Sequence, residues 1–177
     1  MAYVYQKKQI EVCWDVFFNL LAAGNDVDID ETKWYFESDS DEAEHYLGHL
    51  SQYENPYWIG YCDEKNGCEF WTAIDLATAP VFDGRSLMER WDEVVLIDIG
   101  GVDAEEKLHT LAARWEVKTG QYIRTIDGRD IYVTEIIEPG KRYCGKAVFP
   151  ESMSETVIDH GEIGYVRDEI CKSVVVE

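Results

Sequence analysis

The pattern of hydrophobic and polar positions predicts four helices. Between residues 6 and 23 the apolar positions fall three or four apart, which is typical of an amphipathic helix. Gly24 and Asn25 follow as candidates for the left-handed residues that end it. Capping signals, in which Ser or Asp precedes Glu by three residues, predict three further helices: 39–53, 86–91 and 103–118.

Apolar and aromatic runs predict the β-strands. Asn66-Gly67 and Asp127-Gly128 each separate two such runs, and these dipeptides favour hairpin turns because both residues must tolerate positive φ. The predicted strands cover residues 32–36, 57–62, 68–74, 94–99, 121–126, 129–137, 143–149, 163–167 and 173–176. Helices and antiparallel hairpins in separate runs indicate the α+β class, with two to four helices packed on antiparallel sheet built from hairpins.

The length of 177 residues fits one domain or two small subdomains. Gly100 and Gly101 close a strand, and a new run of helix and sheet follows them. We therefore expect an acidic helix and hairpin subdomain over residues 1–100 and a helix plus antiparallel sheet subdomain over residues 101–177, unless both form one domain. No stretch approaches the roughly 18 apolar residues of a membrane span, so no membrane association is expected.

The net charge of the chain narrows its possible partners more than any other feature of the sequence. The chain has 36 acidic and 16 basic residues and a net charge of −20, while 46% of its residues are hydrophobic and 13% aromatic, which is enough for a packed core. Such a protein repels nucleic acid and attracts basic protein surfaces over about a Debye length. Basic surfaces are commonly those that hold DNA or RNA phosphates. Direct nucleic-acid binding is therefore not expected.

The negative charge is concentrated toward the N-terminus. Residues 1–80 carry a net charge of −12, whereas residues 118–149 carry +2. The alternation of Asp with apolar residues over 26–30 predicts a strand with a row of carboxylates roughly 6.5–7 Å apart on one face, close to the spacing of successive phosphates. The candidate partner-binding residues are Asp26, Asp28, Asp30, Glu31, Glu37, Asp39, Asp41, Glu42 and Glu44.

The same segment suggests a calcium site. Four carboxylates, at positions 26, 28, 30 and 37, match the ligand positions of an EF-hand loop. Glu31, however, stands at the sixth position, where the sharp turn of that loop needs Gly. We therefore expect no calcium site.

A second possible metal site involves His45 and His49. They lie four residues apart on the predicted helix at 39–53, so they share a face, as a pair of zinc ligands would. No third His or Cys stands at ligand spacing. We expect no metal and no cofactor.

The five cysteines are odd in number and contain no Cys-x-x-Cys pair, which indicates a reduced, cytoplasmic chain. With residues 66–67 as a two-residue turn, Cys62 would oppose Trp71. Cys68 would then oppose Lys65, so the two thiols are not expected to be cross-strand partners.

No nucleophile elbow, phosphate loop or dinucleotide fingerprint occurs in the sequence. Enzymatic activity stays open but is not the expected function.

The size, the charge and the lack of a catalytic motif resemble those of small acidic inhibitors carried by phages and mobile elements. Such inhibitors, of the anti-CRISPR or antirestriction type, occupy the basic groove of a nucleic-acid enzyme. The resemblance implies an inhibitory mimic of DNA or RNA phosphates. Its partner would be the basic protein surface of such an enzyme.

Two other functions stay open. An α+β domain that binds a small molecule or acts as an enzyme would line a pocket with aromatic side chains, and the candidates are Tyr57, Trp58, Tyr61, Phe70 and Trp71. An immunity protein or antitoxin that neutralises a basic toxin would share the electrostatics of a nucleic-acid mimic. The basic stretch at 118–149 fits a second contact surface, charge neutralisation in a homodimer, or ordinary strand charges facing solvent.

Overall fold

The computed structural model describes residues 10–39, 43–64, 67–149 and 151–167. The described residues form three α-helices and eleven strands, and the strands pair antiparallel in one six-stranded and one five-stranded sheet. The predicted α+β class is confirmed, with more sheet than expected. Within the described ranges, no helix is long and apolar enough to cross a membrane.

The chain divides into two compact units, which we describe separately. Unit 1 comprises Met1–Glu11 and Gly24–Ala104. Unit 2 comprises Val12–Ala23 and Glu105–Glu177.

The described part of unit 1 contains six strands and a short helix. Their bounds are β1 (Thr32–Phe36), β2 (His45–His49), β3 (Tyr57–Gly60), β4 (Cys68–Phe70), α2 (Ala73–Thr78), β5 (Val94–Ile99) and β6 (Val102–Asp103). The strands lie in the order β4-β3-β2-β1-β5-β6. Helix α2 begins after Thr72, whose hydroxyl accepts a hydrogen bond from the Asp75 amide, as a helix N-cap does.

The central strand β1 supplies much of the core of unit 1. Its residues alternate between buried and half-buried, so Trp34 and Phe36 share the buried face. Their rings meet the ring of Phe82 edge to face, at centroid distances of 5.9 and 5.2 Å. Two of the three aromatic residues in this strand, Trp34 and Phe36, are therefore core.

The helix predicted over 39–53 is wrong, because residues 45–49 form β2. This strand pairs with β1 in a register that sets Leu47 opposite Thr32. Gly48 lies in the middle of the predicted helix, where glycine costs about 1 kcal/mol relative to alanine. Strand pairing therefore outweighs the local capping signal.

Two other predicted elements of unit 1 differ from the structure. The strand predicted over 68–74 ends at Phe70. The helix predicted over 86–91 is replaced by a turn and a 3₁₀ turn (Trp91–Glu93). Its capping box nevertheless forms, since the Ser86 amide donates to the Glu89 carboxylate and the Glu89 amide donates to Ser86 Oγ.

Unit 2 contains the other sheet and two helices. Their bounds are α1 (Trp14–Ala23), α3 (Ala104–Ala112, whose first residue is the last of unit 1), β7 (Tyr122–Thr125), β8 (Asp130–Glu138), β9 (Arg142–Phe149), β10 (Glu151–Asp159) and β11 (Ile163–Val166). The strands lie in the order β10-β9-β8-β7-β11. The hairpin predicted at Asp127-Gly128 joins β7 to β8, and Gly128 has a φ of 94°. Strand β10 was not expected, and the strand predicted at 173–176 lies outside the described residues.

The helices of unit 2 are shorter than predicted. Residues 10–13 are not helical, so α1 covers only the second half of the predicted helix, and Gly24 follows it with the expected positive φ of 55°. Helix α3 ends at Ala112 rather than near Lys118. The core of the unit is an apolar cluster, in which each residue is at most 1% exposed: Ile123, Ile131, Val133, Tyr143, Ile158, Ile163 and Val166.

Candidate functional site

Residues 26–31 form turns rather than the predicted strand. A 3₁₀ turn (Gly24–Asp26) opens the segment. Asp28 and Glu31 then adopt left-handed backbone conformations, with φ of 53° and 62°. Left-handed residues break the two-residue alternation of a strand. The predicted row of carboxylates at phosphate spacing is therefore wrong.

Asp30 has a structural role that its sequence context did not indicate. The indole Nε1 of Trp58 donates a hydrogen bond to Asp30 Oδ1 at 2.9 Å. This bond passes over Gly48, where a Cβ would lie 2.0 Å from Asp30 Oδ1 and 2.5 Å from Trp58 Nε1. Asp30 thus ties the turn to β2 and β3, and Gly48 leaves the space for that contact.

The exposed members of the predicted set form two groups. Asp26, Asp28 and Glu31 precede β1, and Glu37 and Glu44 follow it. Because β1 has five residues, it separates the groups by about 17 Å along the strand. The predicted members Asp41 and Glu42 lie outside the described residues.

The EF-hand arrangement is ruled out by the same geometry. Strand β1 (Thr32–Phe36) occupies positions seven to eleven of the twelve-residue loop. The carboxylates at 26–30 and Glu37 therefore stand at opposite ends of a strand and cannot converge on one ion. Within the described ranges, no group of three His, Cys, Asp or Glu side chains is placed to hold a metal ion.

Asp39 belongs to an ion-pair network centred on the buried Arg90, which is 6% exposed. The guanidinium donates to Asp39 Oδ1 at 3.0 Å and to Glu93 Oε2 at 2.7 Å, and it lies over the ring of Phe36 at 3.7 Å. The Ser38 hydroxyl donates to the same Glu93 oxygen at 2.5 Å. The hydrogen bond from Ser38, together with those from Arg90, lowers the pKa of Glu93 to about 2.

The two histidines have different environments on β2. His45 is buried, and its ring stacks on Trp34 at a centroid distance of 5.6 Å. His49 Nδ1 lies 3.0 Å from Asn25 Oδ1, and its ring packs against Tyr57 at 4.6 Å. Residues four apart on a strand are about 13 Å apart, so these imidazoles cannot share an ion.

A cleft of about 640 Å³ opens beside the Arg90 network. Its lining residues are Ser38, Asp39, Ala43, His45, Tyr61, Cys62, Asp63, Phe82, Asp83 and Arg90. Of the five aromatic residues predicted to line a pocket, only Tyr61 lies in this lining. Its side chain is 61% exposed, and its backbone is left-handed, with a φ of 56°. Three carboxylates against one guanidinium make the lining of the cleft acidic.

His45 adds a buried nitrogen without a hydrogen-bond partner to this cleft. Its Nδ1 lies 2.5 Å from the Tyr61 carbonyl oxygen, which only accepts, so Nδ1 donates this hydrogen bond. The buried Nε2 has no hydrogen-bond partner, and Asp39 Oδ2 lies 3.7 Å from it. A ligand in the cleft would therefore meet this nitrogen together with the Asp39 carboxylate, and leaving a buried polar atom unpaired is costly.

Cys62 and Cys68 are not cross-strand partners, as predicted, but the predicted register is wrong and their thiols lie close together. The observed register pairs Cys68 with Ile59, and β3 ends at Gly60, so the strands are not joined by the predicted two-residue turn. The left-handed Tyr61 redirects the chain after β3, and Cys62 Sγ lies 3.8 Å from Cys68 Sγ. Asn66, the first residue of the predicted turn, lies outside the described residues.

The basic residues of 118–149 are largely paired within unit 2. Four of the six form ion pairs: Arg124 with Asp15 and Asp130, Arg129 with Asp127 and Glu162, and Lys141 and Arg142 with Glu138. Paired arginines are less available to a partner. This pattern favours ordinary strand charges over a second contact surface.

The two units differ strongly in charge. Unit 1 has 21 acidic and 6 basic residues, a net charge of −15, whereas unit 2 has 15 acidic and 10 basic residues, a net charge of −5.

Comparisons with protein-family models, with curated proteins and with solved structures gave no match to this chain. The function must therefore be inferred from the chemistry of the chain itself.

Proposed function

We propose that this protein is an acidic binding protein whose unit 1 binds a basic surface of another protein. The observation that carries the proposal is the charge of unit 1, which holds −15 of the net −20. Its six basic residues are too few to neutralise its 21 acidic ones. An excess of this size speeds the encounter with a basic surface, and its effect fades as salt is added.

The partner class that fits best is a nucleic-acid enzyme, because its phosphate-binding groove is basic. An acidic protein seated in that groove competes with the nucleic acid. In this proposal the chain is an inhibitor of the anti-CRISPR or antirestriction type. It acts in the cytoplasm by protein–protein contact, without chemistry of its own.

The contact surface differs from the row of charges expected from the sequence. Asp30 and Asp39 are engaged with Trp58 and Arg90, so they contribute little to a partner. The exposed carboxylates before and after β1 form the proposed contact surface, in two groups about 17 Å apart. A matching partner presents two basic groups at a similar separation.

The acidic cleft, in the described part of unit 1, is suited to a basic side chain of the partner. Asp63 and Asp83 line the cleft, and the buried His45 Nε2 has no hydrogen-bond partner. The exposed ring of Tyr61 can stack on a guanidinium, which also brings five hydrogen-bond donors. An arginine of the partner satisfies these groups better than a neutral side chain does.

Competition with nucleic acid tests the proposal. The protein is immobilised, a lysate of the host cell is passed over it, and captured proteins are eluted with rising NaCl and identified by mass spectrometry. Each captured enzyme is then purified, and its affinity for a labelled oligonucleotide is measured with and without this protein. We expect elution at a few hundred millimolar NaCl, roughly where the Debye length falls below 6 Å, and loss of oligonucleotide binding. Capture that resists salt, or oligonucleotide binding that persists, would contradict the proposal.

The alternative of a small-molecule-binding or enzymatic domain is favoured by the size of the cleft alone. Tyr57, Trp58, Phe70 and Trp71, which were expected to line such a pocket, do not line it. Thermal unfolding in the presence of a metabolite panel separates the two functions. A rise of several degrees with a neutral metabolite, together with an empty capture column, would favour the alternative.

A further inference from the structure

Two thiols lie in contact at the edge of the acidic cleft. Cys62 Sγ and Cys68 Sγ are 3.8 Å apart, both side chains are half-buried, and Cys62 lines the cleft. A disulfide requires about 2.05 Å between the sulfur atoms. Rotation of one thiol between staggered χ1 positions moves its sulfur by roughly 3 Å, more than the remaining gap.

The surrounding backbone holds one thiol and leaves the other adjustable. Cys68 is fixed in β4 by pairing with Ile59. Cys62 lies in the bend after β3, outside the paired strands. Its Sγ makes one weak contact with the Glu64 carbonyl oxygen, at 3.8 Å. The movement needed for a bond therefore falls mainly on the Cys62 side chain.

We propose that Cys62 and Cys68 are a modification site that forms a reversible intrachain disulfide. The oxidant is a low-molecular-weight disulfide. The Cys62 thiolate attacks one of its sulfur atoms, forms a mixed disulfide and releases the first small thiol. Cys68 then loses its proton and attacks Cys62 Sγ, which releases the second small thiol and leaves the protein disulfide. Two electrons and two protons pass from the protein dithiol to the oxidant.

The environment of the pair determines the order of attack. Burial, followed by the hydrogen bond with Cys62, raises the pKa of Cys68 to about 11, so Cys68 is a poor first nucleophile. Asp63 and Glu64 add negative charge near the Cys68 sulfur, and both directly follow Cys62 in the chain. A neutral oxidant should therefore react faster than an anionic one, and salt should narrow the difference.

Mass spectrometry of the full-length protein tests the site. The reduced protein is incubated with bis(2-hydroxyethyl) disulfide, which is neutral, or with glutathione disulfide, which is anionic. Trypsin cleaves after Lys65, between the two cysteines, so a disulfide between them holds two peptides together. We expect this linked pair, its loss after treatment with dithiothreitol, and a rate at least several-fold higher with the neutral oxidant.

Variants identify the roles of the two thiols. Cys68→Ser should stop the reaction at a mixed disulfide on Cys62, whereas a variant that replaces Cys13, Cys144 and Cys171 by Ser should oxidise as the wild type does. The proposal is overturned if Cys62 in the wild type keeps the small-thiol adduct, or if the linked peptides join another cysteine. The linked peptides are measured in the wild-type protein itself, so the test of the disulfide does not depend on whether a variant folds.

Discussion

Replacement of Arg90 by Met removes the cation that Asp39 and Glu93 share. The methionine keeps much of the aliphatic packing but leaves the two carboxylates without their guanidinium. The lowering of the Glu93 pKa from 4.5 to about 2 corresponds to about 3 kcal/mol of preference for the ionised form. The Ser38 hydrogen bond supplies part of this preference, and the Glu93 side chain is 26% exposed, so solvent screens it. Loss of a cation from a buried pair costs about 3–5 kcal/mol. For this partly exposed network we expect about 2–3 kcal/mol at pH 7.

Arg85 provides a matched control on the same carboxylate. Its guanidinium donates to Glu93 Oε1 at 2.9 Å, but its side chain is 50% exposed. Arg85→Met should therefore cost only about 0–1 kcal/mol. Arg90→Lys keeps the charge and loses the forked geometry, so its cost should lie between those of the two methionine variants.

The sign of the pH dependence follows from the direction of the shift. The pKa of Glu93 is lower in the folded protein than its ordinary value of 4.5, so its contribution to stability is present above that value and is lost as pH falls toward 2. In Arg90→Met the pKa of Glu93 moves back toward 4.5. The stability difference between wild type and variant should therefore shrink between about pH 5 and pH 2.

Urea unfolding followed by tryptophan fluorescence measures these differences at each pH. Four of the six tryptophans, Trp34, Trp58, Trp71 and Trp91, lie in unit 1, so the signal reports mainly on that unit. A loss below about 0.5 kcal/mol for Arg90→Met at pH 7, or a difference that stays constant down to pH 3, would refute the assignment of a stabilising network.

Two further substitutions test the packing of each unit. Gly48→Ala should destabilise unit 1 by about 1–3 kcal/mol in urea, because its Cβ would displace the Asp30–Trp58 bond. Gly60→Ala is the control, because its Cβ would lie 3.4 Å from the nearest atom, and its stability should stay within about 0.5 kcal/mol of wild type. Equal destabilisation by the two substitutions would contradict the role of Gly48. Tyr143→Phe removes the hydroxyl 2.7 Å from His160 Nδ1, whose Nε2 donates to the Ala112 carbonyl, and should cost about 1–2 kcal/mol. Unchanged amide hydrogen exchange in unit 2 would contradict that prediction.

Strand β1 could be predicted from sequence because its own residues determine it. Its β-branched and aromatic side chains alternate between buried and half-buried, and the structure keeps both bounds of the prediction, Thr32–Phe36. The strand Val94–Ile99 was predicted for the same reason. In both cases local preference and pairing in the sheet agree.

The helix prediction over 39–53 failed where local and long-range effects disagree. The capping signal is local, whereas β2 is stabilised by pairing with β1 on one side and β3 on the other. Gly48 would have been a clue, because it weakens a helix and leaves room for the bond between Asp30 and Trp58. That bond joins residues 28 positions apart, and no local pattern indicates it.

The candidate site was only partly predictable for the same reason. The excess of carboxylates is visible in the sequence, but their arrangement depends on the left-handed turns at Asp28 and Glu31. Arg90 reaches Asp39 across 51 positions, and the contact between the two thiols depends on a register that the Asn-Gly signal misplaced. Charge can be read from composition, whereas the partner of each charge requires the fold.

The most direct test of the account is the association rate of two charge-matched variants with the captured enzyme. One variant carries Asp26→Lys, Glu31→Lys and Glu37→Lys in unit 1, and the control carries Glu106→Lys, Glu116→Lys and Glu135→Lys in unit 2. All six carboxylates are exposed, and both variants have a net charge of −14.

Stopped-flow measurements over a range of NaCl concentrations give the rates. The account predicts that the unit 1 variant associates at least about tenfold more slowly than the control at low salt, and that the two rates converge as salt rises. Equal rates for the two variants would show that overall charge alone governs binding, and would contradict the assignment of the contact surface to unit 1.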